Sequence, residues 1–330
     1  VDPLTHGLAS FALQRAFFPR ARWLAVLCII FAGIMGDLDW FAAAFGASAY
    51  LHWHRSATHS LIFLVAVFAA ALAFSRVLAK KNSPGWLGFS AISIVAAAAL
   101  HLAMDSLQAD SVRLLWPISP KRFSLDISPS LDPWLITPLL AAILFPELVR
   151  LITDEIGARS KRPRGRNGAI IGFVFVAIYF GVRLLFHTNV TATLDARTVG
   201  GETPHRVAAF PDSVSPFIWH GIVETESAIH LADLRTFGGD VTYATGITSL
   251  HKPEPSATLS AAQGSAAALE FMKYARFPKA IVQKETEGFS VEIQEMKDQA
   301  SGEKSRAVVA DIVVNRDAKV ASSELQWRKN

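Results

Sequence analysis

Histidine and aspartate recur in the first third of the chain in short blocks whose spacing suits metal chemistry. DPLTH carries Asp2 and His6, four apart and so on one face of a helix. GDLDW carries Asp37 and Asp39, HWHRSATHS carries His52, His54, Arg55, Thr58 and His59, and HLAMD carries His101 and Asp105, again at i and i+4. Imidazole nitrogen and carboxylate oxygen together hold Zn²⁺ and similar ions while leaving positions open for water. HxxxD is common by chance, so the argument rests on the set rather than on any one pair. The expected metal ligands are His6, Asp37, Asp39, His54, His59, His101 and Asp105. A free carboxylate of Asp37 or Asp39 is the candidate base, and Arg55 either holds an anionic group or pairs with one of those two acids. Thr58 and Ser60 read as helix-capping and supporting donors, and His52 as an interfacial side chain. Asp126 and Asp132 stay open between ligand and turn residue.

These blocks must be positioned by something, and composition says what. Of 330 residues 51% are hydrophobic and only 18% charged, against about 25% charged in ordinary soluble domains. Disordered and disulfide-scaffold classes are excluded by that apolar content and by a single cysteine, Cys28. The apolar excess is concentrated before His187. Trp23 to Trp40, Ser60 to Ala79, Trp86 to Met104, Leu131 to Val149 and Gly168 to Phe186 each approach the roughly 20 residues that cross a bilayer as helix. Pro133, Pro138 and Pro146 predict a kink in the fourth. Pro3 to Phe18 is a shorter apolar helix with Pro3 in its first turn.

Residues 1–187 hold 17 Lys+Arg against 10 Asp+Glu, net +7; residues 188–330 hold 15 against 18, net −3. The basic residues fall in alternate loops, among them Arg20, Arg22, Lys80, Lys81 and the KRPRGR run at 161–166. That alternation assigns these loops to the cytoplasm, and it places every His/Asp block at the outer end of its helix. A nucleic-acid reading of KRPRGR is disfavoured because the run lies between two spans, and no nucleic acid is expected as a partner. Residues 188–330 read as a periplasmic domain. VTATLDART, SAIHLADL, FSVEIQEM and AVVADIVVN favour strand, and SAAALEFMKYARF favours helix. The expected fold is an α-helical polytopic membrane bundle of five or six helices (1–187), followed by a β-rich α+β soluble domain (188–330).

DPLTHGL, GDLDW, HRSATHSL, HLAMDSL and a following DPW resemble the YdjM family of bacterial inner-membrane proteins, described as predicted metal-dependent hydrolases. The resemblance runs over roughly the first 190 residues, and FPDSVSPFIWHGIVET is similar to the opening of that family's extramembrane tail. Its motif positions fall on His6, Asp37, Asp39, His54, Arg55, His59, His101 and Asp105. More distantly, the order early His, Asp, His, HxxxD is similar to bacterial zinc-dependent phospholipase C and its fungal nuclease relatives. Those enzymes add a later His and a second HxxxD/E pair, which this chain lacks between His101 and His187, so one to three ions are implied. The expected function is a membrane metal-dependent hydrolase, with Zn²⁺ or else Mn²⁺, acting at the outer face of the inner membrane on a lipid-linked phosphoester. The rival readings are a metal or proton transporter and a membrane-anchored periplasmic sensor, with residues 188–330 as a docking module for a periplasmic protein.

Overall fold

The structure is a computed structural model that describes residues 2–78, 84–155, 165–237, 239–300 and 307–328. Much of the evidence for orientation, Lys80, Lys81, Arg159, Lys161, Arg162 and Arg164, lies outside the described residues. The chain forms two compact units. Val1–Asp39 with Arg55–Leu184 make the first, and Trp40–His54 with Leu185–Asn330 make the second.

The first unit is helical: α1 (Pro3–Phe17), α2 (Trp23–Ile34), then α3 (Ala47–Trp53) within the segment assigned to the second unit, α4 (Leu61–Leu78), α5 (Pro84–Ser106), α6 (Pro133–Glu155) and α7 (Arg166–Asp195). Pro3 stands at the start of α1, where its missing N–H is no loss, and Asp2 caps that helix by accepting from the Thr5 N–H at 3.0 Å. Two apolar clusters hold the unit. Ile29, Val67, Ala71, Ala91, Ile94 and Ala97 join α2, α4 and α5. Ala9, Ala12 and Ala16 of α1 pack with Met104, Leu135, Leu139 and Ala169. Small residues let these helices approach closely, as they do in membranes. A Cβ on Gly33 would lie 1.8 Å from Ser10 Oγ, and one on Gly172 would lie 2.8 Å from the Ala142 Cβ. At the end of α1 remote from His6, Arg15 donates to Glu147 at 2.8 Å and to the Ile143 carbonyl at 3.0 Å.

Three stretches are long and apolar enough to cross a membrane: Trp23–Phe45, Pro133–Ile152 and Arg166–Asp195. A fourth is counted if Ala47–His59 and Leu61–Phe74, bent by 59° at their junction, act as one broken span. The bundle thus offers three or four candidate spans among the described residues where five or six helices were expected. The described apolar part of α5, Ala91–Ser106, falls in the shorter class, and α1 is only 15 residues long. The fourth expected span is one continuous helix, α6, which contains Pro138 and Pro146.

The second unit has two antiparallel sheets. β1 (Arg206–Pro211), β2 (Ile218–Glu224), β3 (Ala228–Phe237) and β4 (Asp240–Tyr243) lie in that order, with β5 (Thr248–His251) also on β3. β6 (Pro278–Glu285), β7 (Gly288–Glu295), β8 (Val308–Asn315) and β9 (Val320–Trp327) form a meander, preceded in the chain by α8 (Ala257–Gln263) and α9 (Ala266–Met272). SAIHLADL, FSVEIQEM and AVVADIVVN are strands as their alternation predicts, and SAAALEFM holds α9. VTATLDART is not a strand: residues 190–195 continue α7. Val190 and Leu194, one helical turn apart, bury against Trp219, Val223 and Leu234, while Thr191 and Thr193 return their hydroxyls to the His187 and Asn189 carbonyls. Tertiary packing at i,i+4 has overridden β-branched propensity.

α3 belongs to the core of the second unit. Ala47 and Leu51 pack with Phe271, Val291, Ile312 and Val314, and the Tyr50 ring lies 5.1 Å from that of Trp327. Truncation of a buried leucine costs about 2–5 kcal/mol. Leu51→Ala, read by hydrogen exchange of peptides from β7 and β8, is therefore expected to raise their exchange strongly. Unchanged exchange there would show that α3 contributes nothing to this core.

Candidate metal centre

Each histidine of the cluster is delivered by an element end, where the helix backbone stops and a side chain can turn inward. His6 sits in the first turn of α1. His59 ends a short 3-10 turn, Ala57–His59, just before α4. His101 and Asp105 share the last turns of α5, one above the other. Asp37 follows α2 in a 3-10 run, Met35–Phe45.

Asp105 is the hub. Its carboxylate is fully buried, and three imidazoles turn their Nε2 atoms to it: His6 at 3.2 Å, His59 at 2.7 Å and His101 at 3.3 Å. The Arg55 guanidinium stands 3.6 Å away. Two of these imidazoles have their tautomer set from behind. His101 Nδ1 lies 2.8 Å from the Gly33 carbonyl, which can only accept, so Nδ1 carries the proton. His59 Nδ1 lies 3.1 Å from Asp39 Oδ2, which likewise accepts. The His101 ring held this way presents a bare lone pair at Nε2, while His59 stands between two carboxylates, Asp39 at Nδ1 and Asp105 at Nε2. The two Nε2 atoms face each other at 3.1 Å with the Asp105 carboxylate beside both. Acceptors crowded on acceptors in a buried space demand a cation between them, either a shared proton or a metal ion.

The donor set fits a metal. His6, Asp37, His101 and Asp105 each offer one ligand atom, and these four atoms lie within 4.8 Å of one another. Asp37 Oδ2 is buried with no hydrogen-bond partner, an orphan of the kind a bound cation satisfies. Nitrogen and carboxylate oxygen ligands in this number suit Zn²⁺ or Mn²⁺ without deciding between them.

The remaining predicted residues take other positions. Asp39 Oδ2 receives the Arg55 N–H at 2.7 Å and the Thr58 hydroxyl at 3.0 Å besides facing His59, so this carboxylate orients a ligand. Arg55 has φ of 54° and gives its guanidinium to the Asp110 carbonyl at 2.6 Å and to the Gln108 side chain. It pairs with protein acceptors around Asp105. His54 is not in the four-ligand group; its ring stacks on that of Tyr50, with centroids 4.4 Å apart. Asp126 is buried with φ of 56°, and Asp132 accepts from the Trp134 N–H at 3.0 Å and the Tyr179 hydroxyl at 2.9 Å. Neither belongs to the four-ligand group. Asp2 caps α1, as described. Gln108 and Gly36 are site residues that sequence reasoning passed over. Gln108 has no motif around it, whereas GxxGD at 33–37 places two glycines before an acid at the end of an apolar helix.

Comparison with known proteins matches residues 1–190 to the family described as YdjM inner membrane protein. No curated protein and no solved structure matches the chain. Gly36 gives the sharpest local test of the geometry, because a Cβ there would lie 2.1 Å from His101 Nε2. Gly36→Ala is expected to displace the His101 ring and abolish metal retention by the purified protein. Its circular dichroism should remain helical. Metal retained at the wild-type level by this variant would remove His101 from the site.

Proposed function

The chain belongs to the YdjM family of inner membrane proteins, and from that premise we propose that its helical unit is a metal-dependent hydrolase. One observation carries the reading: histidines and carboxylates from four sequence-distant blocks converge in a buried space at helix ends, around the Asp105 carboxylate and together with Asp37, whose Oδ2 is unsatisfied. Zn²⁺ is the first candidate and Mn²⁺ the second. His6, Asp37, His101 and Asp105 would hold one ion, and His59 stands beside them. When bound, such an ion lowers the pKa of a coordinated water and stabilises negative charge that develops on a substrate oxygen.

The chain's own residues then divide the work. Asp105 anchors three imidazoles and offers an oxygen to the ion. Asp39 holds His59 in one tautomer, with Thr58 and the Arg55 N–H fixing that carboxylate in turn. The Asp37 oxygen that does not hold the ion is the better candidate base, because Asp39 Oδ2 is already engaged by Arg55, Thr58 and His59. Arg55 positions Asp105 and the 108–110 segment, and holding an anionic group of the substrate is the second role proposed for it. We place the site at the outer face of the membrane, where an ester-linked or phosphoester-linked lipid headgroup is the substrate its depth favours, and the second unit on the periplasmic side. A transporter would instead need ionisable side chains strung through the membrane depth.

The test is metal analysis of the full chain purified in nanodiscs, joined to product analysis of lipid extracts. About one equivalent of metal is expected. Asp105→Asn and His6→Ala should lose both metal and lipid turnover, and Asp39→Asn should weaken metal affinity roughly 10–100-fold. Wild-type protein free of metal after supplementation with Zn²⁺ and Mn²⁺ would overturn the proposal. So would metal uptake into sealed vesicles with no lipid product, which is the transporter outcome.

A further inference from the structure

Between α5 and α6 the chain carries three acids, Asp110, Asp126 and Asp132, and three basic residues, Arg113, Lys121 and Arg122. Read linearly, these charges cancel. Folding separates them. Asp126 and Asp132 are buried, while all three basic residues fall on one hairpin, 112–123, that contains no acid, with Arg122 also donating to the Ser111 carbonyl at 3.1 Å. Val112 and Phe123 close the hairpin by exchanging both backbone hydrogen bonds, at 2.9 and 2.8 Å. Inside it, the Trp116 N–H reaches the Arg113 carbonyl at 3.1 Å and the Ser119 N–H the Leu115 carbonyl at 3.0 Å. The tip is therefore ordered, and it is apolar. Leu115 is 51% exposed and Ile118 87% exposed, with Pro117 and Pro120 beside them.

An isoleucine held almost fully exposed at the tip of a built turn, above a collar of cations, is a pattern that suits an interface of acyl chains and phosphates. The hairpin also stands where such an interface would be. It leaves from the end of α5 and returns to the start of α6, whose Pro133–Ile152 stretch is long and apolar enough to span. Its stem is part of the metal centre's frame: the Arg113 N–H binds the Arg55 carbonyl at 2.9 Å, and the Leu114 carbonyl receives the Leu61 N–H at 2.9 Å.

We propose that hairpin 112–123 is a lipid-engaging finger, with Leu115 and Ile118 inserted at the headgroup–acyl boundary and Arg113, Lys121 and Arg122 on the phosphates of anionic phospholipids. It sets the lipid surface next to the His/Asp cluster, and it holds whether or not that cluster proves catalytic. Each cation at an anionic surface contributes about a fivefold preference.

The test uses the full chain with Cys28→Ser and Ile118→Cys, the new thiol carrying an environment-sensitive fluorophore. It is reconstituted in phosphatidylcholine bilayers with and without phosphatidylglycerol. The label is expected to be quenched by lipid-borne spin labels and shielded from aqueous iodide, most strongly with the anionic lipid. Adding Lys121→Gln, a substitution at an exposed position, should lower the inserted fraction relative to the free one by about fivefold. Quenching by iodide alone in both bilayers would overturn the proposal. So would a label shielded from both quenchers, which means a protein partner or a second copy covers the tip. A blue shift produced in neutral bilayers by soluble inorganic phosphate would equally overturn it, marking a site for the free ion.

Discussion

A carboxylate with no exposed surface has to be compensated by whatever surrounds it, and Asp105 is compensated by three imidazoles and a guanidinium drawn from three stretches of chain. Removing an ion from water without replacement contacts costs several kcal/mol. The helical unit is therefore arranged so that α1, the turn before α4 and the end of α5 all reach one point. The same arrangement overcompensates with lone pairs. His59 and His101 face each other through Nε2 at 3.1 Å beside that carboxylate, an arrangement that calls for a shared proton or a metal ion among them. Structural need and chemical capacity meet at the same atoms.

Close helix approach is what permits that convergence. Ser10 fits against Gly33, and His101 fits against Gly36, at distances no side chain would tolerate. Gly33 contributes twice, since its carbonyl also sets the His101 tautomer. In a membrane, where apolar burial gives little net drive for helix association, such contacts and the polar cluster itself supply much of the specificity.

Arg55 illustrates how a residue type underdetermines its role. An arginine beside a metal motif suggests substrate binding, and its φ of 54° and its bonds to Gln108 and Asp110 make it a frame member as well. The loop that frames it also lifts the cationic hairpin, so one connection between α5 and α6 serves both the buried centre and an exposed face. The hairpin's charge is invisible in a linear count because Asp126 and Asp132 sit in the same stretch and are buried.

Much of the plan was legible from residues alone. The apolar stretches, the β-rich tail, the strands of alternating pattern and the His/Asp blocks follow from local periodicity and from the chemistry of side chains, which need no knowledge of the fold. The number of spans did not follow, because the helices around His59 bend by 59° and the described part of α5 is short, differences of continuity and length that composition does not carry. Nor did the membership of residues 40–54 in the second unit, or the helical state of 190–195, since both depend on long-range partners such as Val291 and Trp219. Within the site, the sequence by itself nominated ligand types. Only the tertiary structure separated the atoms grouped around Asp105 from Asp39, which orients His59, and from His54, which stacks on Tyr50. The reason is physical: spacing determines which residues share a face, whereas a metal centre is defined by distances of a few ångströms between faces that the chain brings together only on folding.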